Sequence, residues 1–510
     1  MGNAGINLIT QGVLVLVYVL ATPGVVHGLG DSGYGTLAVL VVVLGYFGVL
    51  DLGVSQATVK FVSSHLAREE VADVRRVVGT SLVANLALGV TGGIAIASLG
   101  PRALIAILHL QGAARAEIGP ALLLLGAALP FVLVQGTLQG VAGAHQRFLE
   151  INLISGAAAA LQPLSALVLV RLGFGLTAVV LAYVVLRVLS AATFAIVLGR
   201  IEPELRLRPA FDRATFTRLL RFGGWVLVSS VVGPIMVNAD RALIGWLLSA
   251  AAVTYYAVPN DVAGRLLIVS GSLTSVLFPA FSMQASAAPA DDPARAPGAA
   301  SLGLLLRSAK LLLIVLVPAV VLLGAFAPDL FRIWMGAEFA RRSPVVLQLL
   351  AAGVLVNSLA AMPYTALWGM GRPDVTAKFH LLELPLYLGA CMLLIPRAGI
   401  EGAAIAWLLR VSLDLGLLVA AIRRLTGLTL RRVAESRFPR ALLLGAGLAA
   451  LAVAVGHSGL GLAARLAITL ALVLAYAALA WRAALDAVDR GALTRVLARA
   501  PGAAAGARDV

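Results

Sequence analysis

Five arginines stand inside stretches of sequence that are otherwise apolar: Arg187, Arg241, Arg265, Arg410 and Arg465. A guanidinium stays charged and presents a planar fork of donors that matches phosphate and carboxylate oxygens. An ionisable group at the centre of a bilayer costs roughly 2.5–3.5 kcal/mol on insertion scales, so each must face a partner, a wet cavity or an anionic ligand. Asn238, Asp240 and Asp261 accompany Arg241 and Arg265. Asp261 and Arg265 are spaced i, i+4, and Asp414 follows Arg410 by one turn. These groups read either as satisfied pairs locking helices together or as the polar wall of a cavity. Arg187 differs, because its own apolar stretch supplies no carboxylate near it. It is therefore the first candidate for contact with an anion, whereas Arg410, with Asp414 one turn away, reads as a structural pair. Asp51 and Glu383 fall near the inner ends of their stretches, where they read as interfacial groups or as carriers of a coupling ion. Gln11, Asn85, Gln135, Gln139 and Asn357 read as helix-to-helix glue. Arg465 reads as a side chain reaching for the outer interface.

Composition dictates the scaffold that carries these groups. Of 510 residues, 60% are hydrophobic and 12% charged, and mean hydropathy is +0.98. That leaves too little polar surface to wrap a water-soluble core. The apolar runs reach the length of about 18 or more residues that spans a bilayer. They predict fourteen helices at 5–29, 33–57, 77–99, 120–143, 151–171, 174–198, 223–247, 255–283, 308–327, 344–370, 379–396, 402–422, 441–456 and 462–484. The first run has no Lys or Arg before it and no cleavage pattern after it, so it reads as a retained helix. The segment 287–300 reads as a Pro/Ala-rich linker and the chain beyond Asp486 as a disordered tail.

Charge sidedness sets the orientation. With the N-terminus inside, and with Arg171, Lys310 and Arg482 near helix ends counted to the side they adjoin, 27 of the 39 Lys and Arg fall on the inner side, seven on the outer side and five within helices. The heaviest inner loops are 199–222 and 423–440. Both termini are thus expected in the cytoplasm, and the net charge of +15 reads as a basic excess facing an anionic leaflet, not as a nucleic-acid surface.

The order of elements repeats. A helix ending at Gly140–Gly143, a basic turn and two further helices, the second carrying Arg187, are matched by Trp368–Gly371, RPDVTAKFH and two helices, the second carrying Arg410. Likewise LGDSGYG opens the second expected helix and AVTYYAVP the eighth. Two six-helix lobes of like orientation are expected, 1–222 and 223–422, with a cavity between them. A loop and two extra helices (423–485) and a tail (486–510) complete the chain. Prolines within many helices read as packing features, with hinge or cavity shaping as the alternative.

Several patterns imitate other chemistry. Gly28, Gly30 and Gly33 fit the spacing of a dinucleotide-binding loop but lack the strand that must precede it. There is no Gly-Lys-Ser/Thr phosphate loop. The six histidines make no ligand spacing. Asp291–Asp292 reads as a solvated pair. Cys391 is the one cysteine, so no internal disulfide forms. No catalytic residue, cofactor or metal is expected.

LGDSGYG, then Asp51-Leu52-Gly53 and Lys60-Phe61-Val62-Ser63, resembles the opening hairpin of the lipid-linked oligosaccharide flippases. These form the polysaccharide-transporter branch of the multidrug/oligosaccharidyl-lipid/polysaccharide exporter superfamily. Asn238-x-Asp240-Arg241, Tyr255-Tyr256-x-x-Pro259 and Phe278-Pro279 resemble its seventh and eighth helices, and Gly143–Phe148 and Gly369–Pro373 its two inner turns. The resemblance covers residues 1–430. It implies two lobes about a central cationic cavity and, as substrate, a polyprenyl diphosphate carrying a polysaccharide repeat unit, for whose diphosphate Arg187 is the first candidate and Arg410, Arg241 and Arg265 the weaker ones. It also implies a bacterial inner-membrane location and traffic with a polysaccharide polymerase and export machinery. Carboxylates beside several of the arginines dilute the positive field that such a cavity should have.

A toxic-cation antiporter of the same superfamily is the runner-up; it would need carboxylates to dominate and only twelve helices. An integral-membrane glycosyltransferase or polymerase would need acidic residues on a substantial external loop. The longest, 100–119, offers Glu117 alone. A structural scaffold leaves Arg187 unexplained.

Overall fold

In hydrocarbon a backbone can satisfy its polar groups only within a helix or a closed barrel, and Leu-, Val- and Ala-rich blocks of this length take the helix. The computed structural model describes residues 3–491, except 52, 67, 109–111, 146, 202, 204–209 and 287–297. Most of the expected linker, the end of the tail, Leu52, His109, Arg206, Arg208 and Asp291–Asp292 lie outside the described residues, as does the side chain of Gln11. The protein is an all-α integral membrane protein, with no strand among the described residues.

The first helices are α1 (Asn3–Leu50), α2 (Val54–Leu66), α3 (Val71–Leu108), α4 (Gly112–Ala144), α5 (Phe148–Arg171) and α6 (Leu176–Ile201). Next come α7 (Arg213–Leu247), α8 (Ala250–Gly264), α9 (Leu267–Ser286), α10 (Gly298–Ala325), α11 (Ala327–Trp334) and α12 (Ala337–Arg342). The chain continues through α13 (Pro344–Gly369), α14 (Pro373–Thr426), α15 (Leu430–Glu435), α16 (Phe438–Gly456) and α17 (Leu462–Leu479). Among the described residues, ten helices are long and apolar enough to cross a membrane. Two of them bend, α1 at Gly30 (φ 70°) and α14 at Ala398–Gly399 (Gly399 φ 58°), and each carries two of the expected spans. With α7 and the α8–α9 pair, these are compatible with fourteen passages.

One expected helix is broken. The run 255–283 is interrupted at Arg265–Leu266, between α8 and α9, where Arg265 N–H reaches back to Val262 O at 3.3 Å. The short helices α11, α12 and α15 were not foreseen, because six to eight residues are too few to show a period.

The chain divides into two compact units, Met1–Val258 with Leu388–Ala403, and Pro259–Tyr387 with Ala404–Val510. These cuts differ from the repeat boundaries expected at 222 and 422. In the first unit α7 packs on α1, α2 and α3. Its core gathers Val62, Val74, Val77, Leu138, Phe194 and Leu219 from five helices. Here α3 and α4 approach so closely that a Cβ on Gly93 would lie 2.2 Å from Gly126 O, the close backbone packing that small residues permit in membranes. In the second unit Phe281, Leu312, Leu316, Met362, Leu367 and Leu418 form one core. Leu313, Val317, Leu448 and Tyr476 form another, which seats α16 and α17 on α10.

Candidate functional site

Arg187 sits in α6, half-buried. Its Nε is buried without a hydrogen-bond partner, and no carboxylate among the described residues lies within ion-pair reach of it. The helix explains this locally: Leu176–Ile201 contains no acidic residue. A half-buried guanidinium without a counter-charge can take a bidentate oxyanion.

Arg410 is placed differently. The arms of α14 on either side of the Ala398–Gly399 bend run antiparallel, since Arg410 in the second arm meets both Glu383 and Tyr387 in the first. Arg410 Nη1 lies 3.9 Å from Glu383 Oε2, and the guanidinium covers the Tyr387 ring at 5.8 Å. The ion pair expected with Asp414, one turn away, is replaced by this pair across the bend. Glu383 is fully buried. Asp414 comes within hydrogen-bonding reach of Glu383. With both groups ionised, neither Glu383 oxygen nor Asp414 Oδ1 finds a donor, and a hydrogen bond between two carboxyls requires a proton on one of them.

In the first unit Asp240 is buried and accepts from the Tyr256 hydroxyl at 2.5 Å. Its other oxygen accepts from Arg241 N–H at 2.7 Å. Arg241 is buried and Asn238 half-buried on the same helix, α7. Asp261 lies near the end of α8 and Arg265 in the turn beyond it. Asp51 is buried at the junction of α1 and α2, where its carboxylate accepts from Ser55 N–H and Ser55 Oγ, both at 2.9 Å. Asn85 extends this polar cluster to Thr137 Oγ1 at 2.8 Å. Gln139 joins α4 to α5 through Ser155 Oγ at 2.9 Å.

Arg465 does not extend alone to the interface. It pairs with Asp329 of α11 at 3.0 Å. Nor are all the histidines without acidic neighbours: His65, Glu70 and Asp73 bring ligand atoms within 4.8 Å of one another. His65 Nδ1 lies 2.6 Å from Glu70, and Asp73 is already shared with Arg76 at 3.0 Å. These contacts account for the cluster without an ion.

Two arrangements went unforeseen. At the Gly30 bend, Asp31 accepts from the Tyr255 hydroxyl through its carboxylate and from Thr254 Oγ1 through its carbonyl at 2.5 Å. Gly35 lies against the same segment, where a Cβ would fall 1.7 Å from Ala250 O. Beyond α17, the fully buried Asp489 holds Arg307 Nε and Lys310 Nζ, each at 2.5 Å. Asp486 sits 3.6 Å from the same ammonium. Burial draws the Asp486 carboxyl upward, but the Asp489 N–H and the charges of Lys310 and Arg307 outweigh it and hold it below its ordinary 3.8.

Residues 29–344 match the family described as Polysaccharide biosynthesis protein. The chain belongs to that family. Over 413 residues it is 24% identical to the "Putative O-antigen transporter" of Shigella flexneri, covering 81% of this chain and 95% of that protein. Over 214 residues it is 25% identical to the "Probable low-salt glycan biosynthesis flippase Agl15" of Haloferax volcanii, covering 42% of this chain and 43% of that protein. Its fold is that of the lipid II flippase MurJ in an inward closed conformation, with TM-score 0.72, 11% identity and coverage of 94% of this chain and 98% of the other. An inward-facing multidrug resistance MATE family transporter gives TM-score 0.67 at 16% identity, covering 82% and 94%.

Proposed function

We propose that this family member is a flippase that carries a polyprenyl-diphosphate-linked oligosaccharide, a polysaccharide repeat unit, from the inner to the outer leaflet by alternating access. It acts as a transporter without catalytic residues or cofactor, in a bacterial inner membrane with both termini cytoplasmic. A polysaccharide polymerase and export machinery take up the product. Each buried CH₂ holds a lipid tail in the membrane by about 0.8 kcal/mol, so the prenyl chain stays in lipid and only the sugar-diphosphate head needs a polar route.

The observation that carries this reading is Arg187, a half-buried guanidinium without a carboxylate, in a chain of the polysaccharide biosynthesis family. We assign it the diphosphate. Arg410, Arg241 and Arg265 shape the polar route; Arg410 already faces Glu383, and Asp240 lies beside Arg241, so they hold an anion less strongly. Glu383 with Asp414 is the seat we assign to a coupling proton. Asp51 is the weaker choice, because its oxygens are occupied in capping α2. A cation antiporter would draw on the same carboxyl pair, but it gives Arg187 no role.

Replacing Arg187 with Ala should abolish surface polymer while the protein still reaches the membrane at normal level, and Arg187→Lys should restore only part of it, since a point charge replaces the bidentate fork. Normal export by Arg187→Ala would remove the diphosphate role.

A further inference from the structure

The segment 423–440 carries six arginines, and they are not equivalent. Arg431 pairs with Glu435 at 2.8 Å. Arg437 and Arg440 donate to the carbonyls of Leu485 and Ala483, at 2.9 and 3.5 Å. Arg423 and Arg424, in the last turn of α14, make no side-chain hydrogen bond or ion pair among the described residues. Both line one open recess of about 440 Å³, together with Ala420, Gly427, Leu428 and Thr429. Gly427 shapes it by ending the helix in the left-handed region (φ 65°), which turns the chain back beside the two guanidiniums.

Favourable charge at a helix C-terminus explains why basic residues stand in this turn, but it does not require a recess in front of them. Next to it Leu430 is 77% exposed, outside every candidate span. An exposed leucine beside two uncommitted guanidiniums, at the end of a membrane helix on the Arg-rich side, matches a phosphate at the headgroup level with an acyl chain beside it.

We propose that Arg423 and Arg424 form a binding site for the headgroup phosphate of an anionic phospholipid of the inner leaflet, with Leu430 against its acyl region. The inference does not depend on the flippase reading.

The test uses the full-length protein in detergent, with phosphatidylglycerol, phosphatidylcholine or inorganic phosphate added, and reads bound lipid by native mass spectrometry and thermal unfolding. Phosphatidylglycerol should bind and raise the unfolding temperature, and the other two should do neither. The double variant Arg423→Gln/Arg424→Gln should bind phosphatidylglycerol roughly thirtyfold more weakly, about fivefold per guanidinium. Arg431→Gln, whose arginine is already paired, should bind as the wild type does. Equal binding of phosphatidylcholine, an equal effect of inorganic phosphate, or equal loss in Arg431→Gln overturns the proposal. If the double variant does not fold, the wild-type preference for phosphatidylglycerol over phosphatidylcholine decides alone.

Discussion

The hydroxyl of Tyr255 donates to the carboxylate of Asp31, and Thr254 beside it donates to the Asp31 carbonyl at 2.5 Å. This fastens the bend of α1 to the start of α8 within the first unit. Both lie on the side expected to face outward. In an alternating-access cycle a contact of this kind closes one face and must part when that face opens.

Gly35 is where that closure is most sensitive. An added methyl would meet the Ala250 carbonyl at 1.7 Å, well inside contact distance. Gly35→Ala should cost roughly 1–3 kcal/mol in the closed form. We expect reduced polymer export and faster external labelling of a cysteine placed at Thr254, against the single buried background thiol Cys391. Unchanged labelling would show that these segments are not a gate.

Arg410 faces Glu383 in the second unit. Removing it leaves Glu383 without its cation, and breaking a buried pair from one side costs about 3–5 kcal/mol. Arg410→Ala should lower the unfolding temperature clearly, and Arg410→Ala/Glu383→Gln should recover most of the loss. Under the coupling reading, Glu383→Gln alone should leave a folded protein whose transport no longer responds to a proton gradient, read in proteoliposomes with an imposed pH step.

Asp489 is the hub of the C-terminal clasp. Asp489→Ala strands the buried ammonium of Lys310 and should destabilise the second unit by about 3–5 kcal/mol. Asp486 adds a pH dependence with a definite sign. A carboxyl depressed in the folded state stabilises the fold above its unfolded value and loses that contribution as pH falls through its folded value. The gap in unfolding temperature between wild type and Asp486→Asn should therefore be full at pH 7 and close below the ordinary 3.8. A gap that widens in acid would contradict the ion pairing.

The charge asymmetry makes a topological prediction. Epitopes placed in 199–222 and 423–440 should both resist protease added to intact spheroplasts and become sensitive on lysis. Cleavage of either in intact cells would reverse the assigned orientation.

Much of the helical plan was legible because bilayer thickness fixes the length of an apolar run. The run 344–370 is α13 at Pro344–Gly369, and 462–484 ends where α17 and its final π turn end. That α6 itself offers Arg187 no carboxylate was legible, because Leu176–Ile201 lacks an acid. The partner of Arg410 was not, because it depends on where a bend in α14 places two antiparallel arms, and spacing along one arm cannot report that. Asp31 and Tyr255 stand 224 positions apart, and no local pattern links them. Pro259 lies inside α8, which continues through it and breaks only after Gly264, a place that no residue pattern marks.

The clasp around Lys310 also governs how the protein can be handled. A reporter or affinity handle appended after Gly491 leaves both aspartates in place. A chain cut at Leu485 would take away the groups that hold Lys310 and Arg307, and would be expected to yield poorly even though every apolar helix is retained. Low recovery of such a shortened chain is the result expected from losing Asp486 and Asp489.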